Sequence, residues 1–147
     1  MKISTALFGE IEIDASKIIT FEDGIPAFPE LKNFILLHDE ESDNSIFSWL
    51  QSTTDPSMMF VIADISMVIP DYAPRLNEAE LSSLGSEDFE HFILYTIATV
   101  EEDLAQTTVN LKAPVVININ TQKGKQLVCD NEEYEIRYKI FGDNKKD

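Results

Sequence analysis

Phe92-Ile93-Leu94-Tyr95-Thr96-Ile97-Ala98-Thr99-Val100 is the stretch on which the fold turns. Read at the two-residue period of a strand, Phe92, Leu94, Ala98 and Val100 face one way, and Ile93, Tyr95 and Ile97 face the other. A strand apolar on both faces must be covered on both, as at the centre of a sheet or barrel. Outward from it the pattern repeats in shorter pieces. Glu10-Ile11-Glu12-Ile13-Asp14 alternates strictly. Ile18, Ile19 and Phe21 form a run closed by the turn Glu22-Asp23-Gly24. Phe34 to Leu37, Phe47 to Leu50 and Met58 to Ala63 follow. Downstream, Val115 to Asn120 alternates again, and a link over Thr121 to Gly124 leads to Gln126-Leu127-Val128, which predicts a hairpin.

One segment reads as helix. Asn77 is placed to cap it, Glu80 three residues on completes a capping box, and Gly85 supplies the stop. Ser86 starts a further turn through Phe89, so the helical excursion is expected near residues 78–90. Many short strands with one helical interruption predict a mainly β, compact antiparallel β-barrel-like domain over residues 1–141. The charged tail 142–147 is expected to fray.

Charge narrows the function. The 147 residues carry 27 acids against 11 Lys and Arg, a formal net charge of −16. The acids run the whole length: residues 1–74 hold 13 acids and 3 bases, residues 75–147 hold 14 and 8. Direct binding to nucleic acid needs a basic footprint, and an anionic membrane surface would repel this chain. Nine Phe, four Tyr and one Trp argue against a disordered acidic tail. No secretory signal or membrane-spanning run is read, and the single cysteine, Cys129, cannot form an internal disulfide. The expected compartment is the reducing cytoplasm, with Cys129 a small buried hydrophobe.

Catalytic and cofactor motifs are absent: there is no Gly-rich phosphate loop, nucleophile elbow or zinc-binding HExxH. His38 and His91 stand 53 positions apart at the ends of apolar strands. The acidic run Asp39-Glu40-Glu41-Ser42-Asp43 lacks the spacing of a calcium loop. No cofactor or metal is therefore expected. What remains is recognition. Asp64-Ile65-Ser66-Met67-Val68-Ile69-Pro70-Asp71-Tyr72 mixes acids with apolar side chains and reads as an edge strand broken at Pro70, a natural docking site. Asp64, Pro70, Asp71 and Tyr72, with Met67 and Ile69 as apolar anchors, are the candidate partner-binding residues. Trp49, flanked by Phe47 and Leu50, is assigned to the core.

Five segments in order carry a resemblance: ISTALFGEIEID (3–14), FEDGIPAFPELKNFILL (21–37), FSWLQSTTDPSMMFVIAD (47–64) followed by PDY (70–72), and TTVNLKAPVVININTQKGKQLV (107–128). Together they resemble the bacterial flagellar assembly factor FliW family, over about residues 3–138. One departure is Ala27, where relatives often carry glycine. The resemblance implies a β-barrel-like fold and a non-enzymatic protein with two partners. One is flagellin, bound before export. The other is the translational regulator CsrA, an RNA-binding dimer that silences flagellin mRNA and that the factor antagonises once flagellin has left. Within the family motifs, Phe8, Gly9, Asn110, Lys112 and Pro114 are read as structural, for hairpin and turn geometry. Two competing readings are kept: a small-ligand-binding barrel or enzyme with a carboxylate-lined cavity, and an acidic inhibitor of another nucleic-acid-binding protein.

Overall fold

The structure, a computed structural model, describes residues 1–25, 28–38, 46–85 and 92–141. Ala27, the acidic run 39–43, the turn expected from Ser86 to Phe89, His91 and the tail 142–147 lie outside those residues. Eleven strands are described: β1 (Lys2–Thr5), β2 (Gly9–Glu12), β3 (Ile19–Thr20), β4 (Asn33–Leu37), β5 (Phe47–Ser52), β6 (Met59–Ala63), β7 (Phe92–Thr99), β8 (Thr108–Val109), β9 (Val115–Asn118), β10 (Lys123–Gln126) and β11 (Tyr138–Lys139), with helix α1 (Glu78–Ser82). The mainly β, barrel-like expectation holds. A nine-stranded sheet runs β11-β8-β7-β6-β5-β4-β3-β10-β9, and a further β7–β9 pairing brings it back on itself. Every pairing is antiparallel except the short contact of β10 with β3 at Lys123 and Thr20.

Alternation along these strands divides the apolar residues between inside and outside. Leu36, Leu50 and Phe60 lie opposite one another across β4, β5 and β6. They join Phe21, Phe34, Ile62, Val115 and Ile117 in the interior cluster. Phe21 and Phe34 meet edge to face with centroids 5.4 Å apart. Gly124 faces this cluster, and a Cβ there would lie 2.7 Å from the Phe21 ring, so only glycine lets β10 close over it.

The outer face is covered in three places. The β1–β2 hairpin packs Ile3 and Ile13 on Ile35. Helix α1 lays Leu81 against Phe92 and Val116, with Leu84 just beyond its end. Strands β8 and β11, with the segment after β6, gather Ile65, Val109, Leu111, Tyr72 and Tyr134 over Ala63 and Ala98. So β7 is covered on both faces over most of its length, although Ile93 near its start is exposed. It ends at Thr99, however, and Val100 is exposed. Helix α1 begins as read, with Asn77 Oδ1 accepting from the Glu80 N–H at 3.1 Å. Cys129 is buried.

Three expectations need correction. Strand β10 starts at Lys123, not Gln126, because its ladder with β9 opens at Lys123 and Asn118, next to a turn in which Gln122 takes a positive φ. Trp49 is half-buried on the outer face, not in the core, because it lies level with Leu37 and Val61 while Leu50 points inward. Its ring meets the exposed Phe8 at the hairpin tip, edge on at 5.3 Å. Finally, Asp64–Tyr72 is not a strand broken at Pro70. Strand β6 has already ended at Ala63, for a reason that shapes the candidate site.

Candidate functional site

Asp64 ends β6. Its Oδ1 accepts from the Ser66 N–H at 3.3 Å and the Ser66 hydroxyl at 2.7 Å, which caps a 3-10 turn over Ile65–Met67. The same pair of hydrogen bonds recurs at Asp14–Ser16, which also caps a 3-10 turn, and at Asp55–Ser57 in the turn between β5 and β6. The turn after Asp64 ends the ladder with β7 but stays close to that strand, across a groove. Ile65 is buried, anchoring the turn in the outer cluster, while Met67 stands 53% exposed. Pro70 and Asp71 are exposed, and Ile69 is half-buried against the same cluster as Ile65.

Tyr72 returns the chain to the body. Its hydroxyl donates to the Leu111 carbonyl at 2.6 Å, and its ring lies 4.8 Å from that of Tyr134. The Tyr134 hydroxyl in turn accepts from the Ala73 N–H at 2.9 Å. Burial first, and then the nearby Cys129 and Tyr134, push the Tyr72 hydroxyl pKa well above its usual value.

The 107–114 motif meets this segment from the other side. Asn110 Oδ1 accepts from the N–H groups of Lys112 and Ala113, both at 3.0 Å, which closes the turn between β8 and β9. The Lys112 ammonium donates to the Asn131 carbonyl at 2.8 Å, and Asn131 Oδ1 receives the Arg75 N–H at 2.6 Å. Pro114 is buried, with its carbonyl taking the Leu127 N–H. Thus Tyr72 and Asn110–Pro114 converge on one buttress. Phe8 and Gly9 do not join it. They sit at the β1–β2 tip, where Gly9 has φ +71° and Thr5 Oγ1 bridges the Phe8 N–H and the Gly9 carbonyl.

The early end of β6 leaves a seam. Strands β6 and β7 pair only at Ile62 with Ile97 and Ala63 with Thr96, whereas Phe92–Tyr95 pairs on its opposite edge with β9. Between the turn Asp64–Ser66, Tyr72 and the start of β7 lies a groove of about 210 Å³. It is lined by apolar side chains, by Asp64 and by the Tyr95 ring, with no Lys or Arg among its lining residues. Burial, followed by the Asp64 charge, raises the Tyr95 pKa. The groove therefore joins Asp64 and Tyr72, singled out from sequence, to residues that were not: Ser66 and the edge of β7. The recurring Asp-x-Ser triplet was the available signal that β6 stops at Ala63.

No group of three or more His, Cys, Asp or Glu is arranged to hold a metal among the described residues. His38 is exposed, with Nδ1 2.8 Å from the Ser48 hydroxyl. Beside it, at one end of the barrel, a cavity of about 400 Å³ is lined mainly by isoleucines and, among the described residues, by no carboxylate.

Comparison with known proteins agrees with this architecture. The family model described as FliW protein matches residues 2–140. A protein named flagellar assembly factor FliW from Caldanaerobacter subterraneus subsp. tengcongensis is 38% identical over 141 residues, covering 96% of this chain and 93% of that one. Its namesake from Caldicellulosiruptor saccharolyticus is 40% identical over 139 residues, covering 95% and 90%. A crystal structure of the flagellar assembly factor FliW superposes with a TM-score of 0.89 at 36% identity, covering 97% of this chain and 99% of that one. By sequence over nearly its whole length and by fold, the chain belongs to the FliW family of flagellar assembly factors.

Proposed function

We propose that this chain is a non-enzymatic cytoplasmic assembly and regulatory factor. It binds flagellin before export and, once flagellin has been exported, binds and antagonises CsrA, so that translation of flagellin mRNA resumes. The observation that carries the reading is the family match across residues 2–140. Charge supports it. A regulator that grips RNA must be basic where it does so, and a partner of net charge −16 is drawn to such a surface and repels phosphates near it. The contact surface in this reading is Asp64, Met67, Ile69, Pro70, Asp71 and Tyr72. Asp64, Met67, Pro70 and Asp71 meet the partner, while Ile69 and Tyr72 hold the segment from beneath.

The test uses CsrA and flagellin from the same bacterium, each titrated against the full chain and then set in competition. Both should bind at micromolar concentrations or below, and flagellin should release CsrA. Association with CsrA should slow as salt rises, because screening shortens the reach of surface charge. Binding to neither protein would sink the reading, and a salt-independent on-rate would remove charge steering from it.

A further inference from the structure

We infer that the seam beside β7 takes an extended, cationic segment of the basic partner as an added strand, paired with the Leu94 backbone and held by Asp64. Backbone groups in a strand point alternately to its two edges. The Asn110 N–H donates to the Ile97 carbonyl, so Ile97 faces the β8–β9 edge. By alternation Ile93 and Tyr95 face that edge too, whereas Leu94 and Thr96 face the other. Thr96 lies opposite Ala63 of β6. Leu94 has no strand opposite it on that edge among the described residues, because Asp64 has already turned the chain aside.

A strand is the element that fits. It would supply both a donor and an acceptor to Leu94, which a helix cannot, its own backbone groups being used internally. Charge selects the strand's chemistry. Ser66 occupies Asp64 Oδ1, while Oδ2 has no partner among the described residues. Asp71 is exposed on the segment that borders the groove, and no Lys or Arg lines the groove among the described residues. An incoming Lys or Arg meets only opposite charge there. Ile93, 37% exposed, offers apolar contact to a neighbouring side chain of the guest.

This inference rests on the proposed function for the identity of the partner, and the test separates the two. Amide hydrogen exchange is followed on the full chain, alone and with saturating CsrA. Exchange at Leu94 should slow by about tenfold or more in the complex. Asp64→Asn keeps a capping side chain but loses the charge. It should weaken binding about three- to tenfold and flatten its salt dependence. Ser66→Arg sets a bulky cation in the mouth and should weaken binding by more than about tenfold. Both variants are to be compared at unchanged melting temperature. Binding with Leu94 unprotected, or with both variants at wild-type affinity, would overturn the seam and leave the proposed function standing. If CsrA does not bind, the proposed function falls. The peptide acetyl-Val-Lys-Val-Arg-Val-amide, titrated to millimolar concentration, then decides the seam: protection of Leu94 supports it and unaltered exchange overturns it. Protection that grows with the chain's own concentration, without partner or peptide, would assign the edge to a second copy and overturn it as well.

Discussion

Replacing Tyr72 with Phe removes a single oxygen and tests whether this residue holds the segment after β6 or meets the partner through its hydroxyl. In the structure that hydroxyl is committed to the Leu111 carbonyl at 2.6 Å, to which the Cys129 thiol is a second, weak donor at 3.9 Å. Deleting the bond leaves a largely buried carbonyl with little compensation, a loss of about 1–2 kcal/mol. The ring contact with Tyr134 survives. For a chain of this length each kcal/mol lowers Tm by about 2–4 °C, so a drop of roughly 2–8 °C is expected at pH 7.

A second signature appears in alkali. An unfolded tyrosine loses its proton near pH 10, whereas native Tyr72 keeps it, because burial raises its pKa. Above pH 10 the unfolded state therefore binds fewer protons than the native one. Stability must then fall as pH rises, by about 1.4 kcal/mol per pH unit for each such group. Tyr95 is shifted in the same direction by burial, and Lys125 is raised by its hydrogen bonds to Glu80 and Asp23, so the wild type declines through several groups. Subtracting the Tyr72→Phe curve isolates Tyr72. Thermal melts at pH 7 give the first number, and urea melts from pH 7 to 11 give the second. Affinity for CsrA and flagellin should stay within about twofold, roughly 0.4 kcal/mol, because the hydroxyl is already used internally. An unchanged Tm and an unchanged alkaline slope, combined with lost binding, would refute the structural assignment and place the hydroxyl at the interface.

Gly124→Ala should destabilise by about 1–3 kcal/mol, read as a lower urea midpoint, since its Cβ would sit 2.7 Å from a Phe21 ring that Phe34 already pins. Pairing it with Phe21→Leu should recover part of that loss, and strict additivity would show that the ring is not the obstacle. Asn118→Ala should cost about 2–3 kcal/mol, because one buried amide donates to the Leu84 carbonyl and accepts from the N–H groups of Asn120 and Thr121. Raising sodium chloride from about 0.01 M to 0.15 M should increase Tm, since screening relieves the self-repulsion of sixteen excess negative charges; a falling Tm would mean that attractive pairs such as Lys125 with Asp23 and Glu80 outweigh it.

The sequence was legible where burial leaves a mark on side chains. Strand β7 announces itself because both its faces are apolar, and α1 because Asn77 and Glu80 form a cap. Strand β10 does not, since its residues are Lys-Gly-Lys-Gln, and the position facing the core is a glycine made necessary by Phe21, a residue about a hundred positions away. The two-residue strands β8 and β11 are too short to show a period. For the candidate site, Asp64 and Tyr72 stood out as acid and aromatic, but their separate tasks did not. One caps a turn and the other ties it down, and both depend on partners distant in sequence or on a strand ending. The seam was harder to see: the Asp64–Ser66 triplet signals where β6 stops, but which part of β7 then lies unpaired is a matter of register between two strands about thirty residues apart.

An unpaired sheet edge invites a second copy of the same chain, and soluble proteins blunt such edges with charge. Here Asp64 stands at the seam and Asp71 on the segment bordering it, within a chain whose net charge is −16. Two such edges approaching each other bring like charge together in a groove lined without a compensating base, and the approach is unfavourable before any hydrogen bond can form. For a cationic segment the sign reverses, and the same acids that keep copies apart draw it in. Self-avoidance and partner selection are then one electrostatic property rather than two. It follows that removing charge at the seam should affect both together. Asp64→Asn combined with Asp71→Asn should weaken the grip on a basic partner and, at high protein concentration, raise self-association. Sedimentation of the double variant, monitored alongside its affinity for CsrA, checks the coupling, and a variant that loses affinity while remaining as monodisperse as the wild type would separate the two effects and refute it.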